Sequence, residues 1–166
     1  MKNTILLLAA ITMLSVQAFS QTKKQADTIK KLPAGTYYII NVETGYAITP
    51  AMSSLGQSVF QQDFTKDATQ KWKVIPKTKS YVIQLSGFND LIFQPHPSVQ
   101  DHTPILSLPG TGNDQFSIIP TSSGHWLIKS RNGKYLHSYT TSTGNELRFG
   151  SIEEGEKTHL WEFRRV

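Results

Sequence analysis

A period of about 44 residues runs through most of the chain and limits its possible folds more than any other feature. Tyr37 and Ile39 in "YYII" recur 44 positions later in "YVIQ", and a further 45 positions on in "WLIK". Trp72 begins a second series, which continues with Phe116 and Trp161 at spacings of 44 and 45. Such a period indicates one supersecondary unit that is used three times.

Strand and turn signals repeat with the same period. Gly45, Asn89 and Gly133 are 44 residues apart, and these residue types tolerate the left-handed backbone of a tight turn. A further aligned set consists of Ile48, Ile92 and Leu136. Each copy has the alternation of four short strands, which in the first copy lie near residues 37–41, 46–49, 58–62 and 72–75. A helical period is missing, so we expect little helix.

Three copies of four strands predict an all-β protein and, more narrowly, a β-trefoil. A propeller with blades of this length needs at least four of them. An open sheet with so many strands leaves edges that invite aggregation. A closed barrel with hairpins at one end, built three times around a pseudo-threefold axis, avoids both problems. The symmetry-related core positions are then Tyr37, Tyr81, Trp126, Trp72, Phe116 and Trp161.

The N-terminal residues differ in composition from the repeats. Residues 1–20 combine Lys2, an apolar run and the small residues Ala18 and Ser20, as a cleavable secretory signal peptide does. The apolar run is shorter than the roughly 20 residues that span a bilayer, so we expect no membrane insertion. The sequence has no cysteine for lipidation or disulfides. We therefore expect a secreted or periplasmic protein with a flexible basic linker over 21–33 and one domain over 34–166.

The net charge of +5 belongs mainly to the N-terminal residues. From Leu32 onward the chain has 12 Lys and Arg against 11 Asp and Glu. Phosphate recognition uses a basic stripe over a folded surface, and a nearly neutral domain gives no sign of one. We expect no nucleic-acid partner.

The first copy resembles a subdomain of the ricin-type β-trefoil lectins. The family motif "Tyr-x-Ile-x-Asn, Thr-Gly, Gly-x-x-Val, Gln-x-Trp" is matched by Tyr37, Ile39, Asn41, Thr44, Gly45, Gly56, Val59, Gln70 and Trp72. The resemblance covers about residues 35–166, although "DQF" and "HLW" fill the Gln-x-Trp positions of the later copies. It implies a trefoil with up to three shallow sugar sites, one in each copy.

The resemblance also indicates where such sites lie. In this family an aspartate that follows the aliphatic residue of the second strand binds sugar hydroxyls, and an aromatic residue near the third strand stacks on the sugar. Here Thr49, Phe93 and His137 fill the aspartate position. Losing a charged acceptor costs about 1.5 to 3 kcal/mol. The resemblance therefore implies the fold and leaves the sugar open.

Aromatic residues outside the core positions are candidates for sugar stacking, because a sugar has an apolar face and a polar rim. They are Phe60, Phe64, Phe88, Phe93, Tyr139 and Phe149. The richest cluster is in the third copy. His137 and Tyr139 lie on its second strand, and Asn145, Arg148 and Phe149 lie around its third strand. Thr49 and Gln62 are the candidates in the first copy.

Catalytic and metal-binding motifs are missing from the sequence. It contains no thiol, nucleophile elbow, His-Glu-x-x-His or phosphate-binding loop. His96, Asp101 and His102 do not have a metal-site spacing. We expect neither an enzyme nor a cofactor or metal. The leading interpretation is a carbohydrate-binding domain with a glycan or polysaccharide partner. The alternative is a protein-binding trefoil, such as a protease inhibitor or adhesion factor, that uses the loop 94–103.

Overall fold

The computed structural model describes residues 30–98, 103–110, 112–141, 144–152 and 157–166. The fold is that of Lys31–Val166, one of the two units into which the chain divides. The predicted signal peptide and residues 21–29 of the predicted linker lie outside the described residues. In the part that is described, no helix has the length and apolar character needed to cross a membrane.

The described residues contain twelve strands in three sets of four, with a single 3-10 turn at Ala68–Gln70. The first set is β1 (Gly35–Asn41), β2 (Ala47–Pro50), β3 (Val59–Gln62) and β4 (Lys71–Pro76). The second is β5 (Tyr81–Leu85), β6 (Ile92–Pro95), β7 (Pro104–Ser107) and β8 (Phe116–Pro120). The third is β9 (Trp126–Ser130), β10 (Tyr135–Thr141), β11 (Gly144–Gly150) and β12 (Trp161–Arg165). The prediction of an all-β protein is confirmed.

The first and fourth strands of each set close into a six-stranded antiparallel barrel. Around the barrel the pairing order is β1, β4, β5, β8, β9, β12 and back to β1. The second and third strands form the hairpins β2–β3, β6–β7 and β10–β11. This is the predicted β-trefoil, and barrel closure leaves the barrel strands without free edges.

The two aromatic series of the sequence meet inside the barrel. Tyr37 pairs with Trp72, Tyr81 with Phe116, and Trp126 with Trp161, and all six belong to the main hydrophobic core. The indole N–H of Trp72 donates to the Ile48 carbonyl at 2.9 Å, and that of Trp161 to the Leu136 carbonyl at 3.1 Å. These tryptophans therefore hold hairpins onto the barrel and are closed to a ligand.

The alignment of the second copy is one residue off from the predicted one. Ile40 pairs with Ala47 in the first copy, and Gln84 pairs with Ile92 in the second. Phe93 is consequently the equivalent of Ile48, and Ile92 is not. The cause is one extra residue between the first and second strands of the second copy.

The same insertion changes the turn residue. Gly87, and not Asn89, has the left-handed backbone in the second copy, with φ of +86°. Gly45 and Gly133 take that conformation in the other two copies, as predicted. The Gln84 amide donates to the carbonyls of Phe88 and Asn89, which stabilises the longer turn.

A group of aromatic rings fills the centre of the core. Phe93 lies 5.8 Å from Trp72, 5.4 Å from Phe116 and 6.1 Å from Phe149, measured between ring centroids. Phe149 is 2% exposed and stacks on Phe116. The prediction that Phe93 and Phe149 are surface platforms is therefore wrong. Side chains alternate along a strand, and on β11 the alternation turns Leu147 and Phe149 inward.

Candidate functional site

The outer face of the hairpin β10–β11 brings together several of the predicted third-copy residues. His137 lies opposite Arg148, and Tyr139 lies opposite Glu146. The residue between the two positions on each strand is buried, because successive side chains alternate between the two faces. The outward-facing side chains are thus not needed for core packing and can contact a ligand.

Tyr139, Glu146 and Arg148 form one exposed group, named here the Tyr139 platform. Tyr139 is 47% exposed, and the Arg148 guanidinium carbon lies 4.3 Å from its ring centroid. The Glu146 carboxylate accepts from Arg148 Nε at 3.1 Å and from Nη2 at 2.8 Å. Arginine has five N–H donors, so Arg148 retains donors beyond these two. The platform offers an apolar ring, hydrogen-bond donors and an acceptor side by side.

Asn145 and His137 flank the platform differently. Asn145 is half-buried at the position opposite Thr140, next to Glu146 in the strand. The His137 ring packs edge-on against His159 with centroids 5.9 Å apart. Its Nε2 atom is buried and has no hydrogen-bond partner in the described part of the chain. Asn145 therefore faces the opposite side of the hairpin from Glu146, and His137 turns its ring nitrogen away from solvent.

Thr49 is not available to a ligand, in contrast to the prediction. It is 4% exposed, donates to the Ala47 carbonyl at 3.1 Å, and accepts from Gln70 Nε2 at 3.3 Å. The Gln70 side chain thus covers it. With the corrected alignment, the equivalent position holds Gln94 in the second copy and His137 in the third. Gln94 is likewise 4% exposed.

Gln70, the glutamine of the Gln-x-Trp motif, stabilises a loop. Its Oε1 accepts from the backbone N–H groups of Thr65 and Lys66 at 3.0 and 3.1 Å, and its Nε2 donates to the Asp63 carbonyl at 2.7 Å. In the second copy Asp114 plays a similar part by accepting from the Gly110 N–H at 3.0 Å. The sequence signal for this role is a polar residue two positions before the buried aromatic residue of the fourth strand in each copy.

Gln61 is a further residue that the sequence analysis missed. It is 1% exposed, and its Nε2 donates to Ser138 Oγ at 2.5 Å and to the Glu146 carbonyl at 3.3 Å. Gln61 thereby fixes the backbone of β11 beneath the Tyr139 platform. The predicted Gln62 is exposed at the end of β3, on the first hairpin. The alternation from the apolar motif residue Val59 places Gln61, and not Gln62, on the buried face of β3.

The other aromatic candidates have different environments. Phe64 packs edge-on against Tyr38 at 5.0 Å, and the Arg164 guanidinium lies 5.0 Å from its ring. Phe60 is half-buried. Phe88 is 42% exposed in the turn of the second copy. Only Tyr139 combines an exposed ring with a neighbouring ion pair among the residues that the structure describes.

The residues weighed for a metal are only partly described. His96 Nδ1 accepts from the Ser98 N–H at 3.1 Å. Asp101 and His102 lie outside the described residues. Within the described ranges, no three His, Asp or Glu side chains are grouped as metal ligands.

The closed barrel and three hairpins define the protein as a β-trefoil, and solved structures share this fold. A designed threefold-symmetric protein, ThreeFoil, is 22% identical, with a TM-score of 0.70 over 80% of this chain and 99% of that one. The BEL β-trefoil is 20% identical, with a TM-score of 0.66 over 83% and 99%.

A lectin of Polyporus squamosus, solved with the glycan epitope Neu5Acα2-6Galβ1-4GlcNAc, is 16% identical with a TM-score of 0.66. The match covers 82% of this chain and 50% of the lectin, so the chain spans about half of that protein. No family model matches the sequence, and no curated protein does. At these identities the likeness shows the fold.

Proposed function

We propose that the protein is a secreted, non-catalytic carbohydrate-binding domain whose sugar site is the Tyr139 platform. The observation that carries this proposal is an exposed aromatic ring held beside a guanidinium and a carboxylate. A pyranose has an apolar C–H face that packs on such a ring, and hydroxyls that match the donors and acceptor at its edge. The occurrence of this fold in a lectin supports the proposal.

The platform is ordered before any ligand arrives, which favours binding. Arg148 is held both by the Tyr139 ring and by two hydrogen bonds to Glu146, so little side-chain freedom remains to be lost. Gln61 fixes the strand below through its bond to the Glu146 carbonyl. A single shallow site of this kind binds weakly, and a multivalent glycan gains by avidity.

A glycan array followed by calorimetric titration of the purified protein tests the proposal. Tyr139→Ala removes the stacking surface, and we expect the affinity to fall about tenfold or more, in keeping with a loss of roughly 1 to 3 kcal/mol. Tyr139→Phe retains the ring and should retain most of the affinity. Phe88→Ala removes an equally exposed ring in the second copy and serves as the matched control. A protein that binds no glycan, or equal losses in Tyr139→Ala and Phe88→Ala, would contradict the proposal.

Secretion is supported by the leader-like composition of residues 1–20. N-terminal sequencing of the protein from cell fractions tests it. We expect mature protein that begins at Gln21, outside the cytoplasm. An intact leader on cytoplasmic protein would be the opposite result.

A protein-binding trefoil is the second candidate, and one observation favours it. Met52 and Leu55 are 60% and 56% exposed in the loop between β2 and β3. Large apolar side chains at a loop tip suit a protein partner. If this candidate is right, Met52→Ser with Leu55→Ser abolishes capture of a specific extracellular protein, and Tyr139→Ala does not. Part of the predicted loop 94–103 lies outside the described residues.

A further inference from the structure

A groove of about 560 Å³ lies where the second and third copies meet on the barrel. Its walls come from the turn before β5, the start of β8 and the end of β9, which meet through the pairs Tyr81–Phe116 and Phe116–Ser130. None of its lining residues belongs to the Tyr139 platform. The volume is in the range of small-ligand sites.

Among the residues that the structure describes, the groove is lined by three cations and by no carboxylate. Lys79, Lys129 and Arg131 contribute the positive charges. Within the described ranges, none of the three forms an ion pair. Arg131 donates from Nη1 to the Gly112 carbonyl at 3.2 Å, which leaves its other donors for a ligand. The Lys129 ammonium lies 5.2 Å from the Tyr135 ring centroid. The groove thus concentrates a positive field that no described residue of its lining neutralises.

The fold does not require these charges. At the positions equivalent to Lys79 the other copies have Gly35 and Gly124, as the barrel pairing aligns them. The positions equivalent to Lys129 hold Ile40 and Gln84, and those equivalent to Arg131 hold Val42 and Ser86. The other two junctions between copies are therefore built without a cation at any of these positions. Clustering like charges disfavours the folded state, so barrel stability does not account for them.

We propose that this groove binds the oxyanion of an acidic saccharide, a sulfate ester or a uronate carboxylate. Lysine and arginine donate charge-assisted hydrogen bonds to either oxyanion. Ser80, Ser117 and Gln115 also line the groove and can bind sugar hydroxyls. The inference rests on the proposed function in taking a glycan as the ligand, but it uses a separate surface.

The lining argues against a nucleic acid as the ligand. Single-stranded nucleic acids need exposed rings on which bases stack. The aromatic residue in the lining, Phe116, is 1% exposed, because its ring belongs to the core. The chain from Leu32 onward is also nearly neutral, with 12 basic and 11 acidic residues. The charge is local, as recognition of one oxyanion requires.

Titrations of the purified protein with four probes test the proposal. The probes are a sulfated tetrasaccharide, a tetragalacturonate, a neutral tetrasaccharide and a thymidine oligonucleotide. We expect one or both acidic saccharides to bind, with an affinity that falls as salt rises. Comparing the two acidic probes distinguishes a sulfate from a carboxylate ligand. Tighter binding of the oligonucleotide than of both acidic saccharides would overturn the proposal.

Charge-neutralising variants locate the binding. Lys79→Gln with Arg131→Gln should weaken acidic saccharide binding about tenfold or more, because charge-assisted hydrogen bonds are lost. Lys73→Gln removes an exposed lysine of β4 that lies outside the groove lining, and it should change the affinity less than about twofold. Acidic saccharide binding that is unchanged in the double variant would overturn the proposal.

Tyr139→Ala separates this inference from the proposed function. If acidic saccharides respond to the groove variants while no glycan responds to Tyr139→Ala, the groove is the sugar site and the platform is not. If glycans respond to Tyr139→Ala and no acidic saccharide responds to the groove variants, only the groove proposal fails. Absence of binding by every glycan contradicts both.

Discussion

The first and third copies place different pairs of residues at the same two positions of the trefoil. In the first copy, Gln70 donates to Thr49 and binds three backbone groups of the adjacent loop. In the third, His137 and His159 meet edge-on at 5.9 Å, and His137 Nε2 is buried without a hydrogen-bond partner among the described residues. The Thr49–Gln70 pair therefore uses its polar groups in structural hydrogen bonds. The third pair leaves at least one polar atom unused.

The hairpins of the two copies also differ in length. β2 and β3 have four residues each, whereas β10 and β11 have seven each. The paired register places Tyr139 and Glu146 on the extra part of the third hairpin. These two platform residues therefore lie beyond the paired positions of the first hairpin, whereas Arg148 is at the position equivalent to Phe60. We therefore expect a functional site where one copy has residues beyond those that the shared fold requires.

The largest effect should be common to both copies. Trp72 and Trp161 are fully buried and each donates to a hairpin carbonyl. Truncating a buried tryptophan to alanine costs about 3 to 5 kcal/mol, and we expect Trp72→Ala and Trp161→Ala to be alike within that range. Urea denaturation measures the free energy of unfolding. A much smaller loss for Trp161→Ala would show that the third copy contributes less to the core.

A smaller effect should distinguish the copies. Gln70→Leu keeps most of the volume but leaves the N–H groups of Thr65 and Lys66 and the Asp63 carbonyl without their partner. We expect a loss of about 2 kcal/mol in the free energy of unfolding. Gln62→Leu, at an exposed position of the same copy, should change it by less than about 0.5 kcal/mol. Equal effects of the two substitutions would rule out a structural role for the motif glutamine.

The sequence predicted the fold because its strongest signal, the period of aromatic residues, comes from the repeated core. The sequence prediction misaligned Phe93, because one extra turn residue moves every following strand residue to the opposite face of the sheet. Phe149 was predictable, since Leu147 and Phe149 alternate with polar residues. Other features depend on long-range pairing. Gln61 and Ser138 are 77 residues apart, and the groove cations meet only through the barrel strands.

Exchanging the polar pair tests whether the third copy tolerates the arrangement of the first. His137→Thr with His159→Gln reproduces the Thr49–Gln70 pair at the equivalent positions. Removing His137 Nε2, a buried nitrogen with no hydrogen-bond partner in the described ranges, should stabilise the domain by about 1 kcal/mol. Thermal and urea unfolding measure this change. A loss of stability would show that the two imidazole rings pack better than the pair that replaces them.

The smallest stability effect concerns two ion pairs with the same spacing. Glu146–Arg148 and Glu162–Arg164 each join residues two apart on a strand, at 2.8 and 2.9 Å, and both are exposed. The hydrogen bonds that Arg164 donates to Glu162, together with the charge of that carboxylate, raise the pKa of Arg164. Exposed pairs contribute little, so Glu146→Gln and Glu162→Gln should each change the free energy of unfolding by less than about 1 kcal/mol.

Glycan affinity should separate these two variants where stability does not. Glu146 orients the guanidinium that stacks on Tyr139, whereas Arg164 lies over Phe64, a ring already packed against Tyr38. We expect Glu146→Gln to weaken glycan binding about tenfold through the loss of a charged acceptor, and Glu162→Gln to leave it unchanged. Calorimetric titration of both variants at equal salt provides the measurement. Equal affinities would mean that the ion pair of the third hairpin is as inert as its counterpart on β12, and that the Glu146 charge has no role in binding.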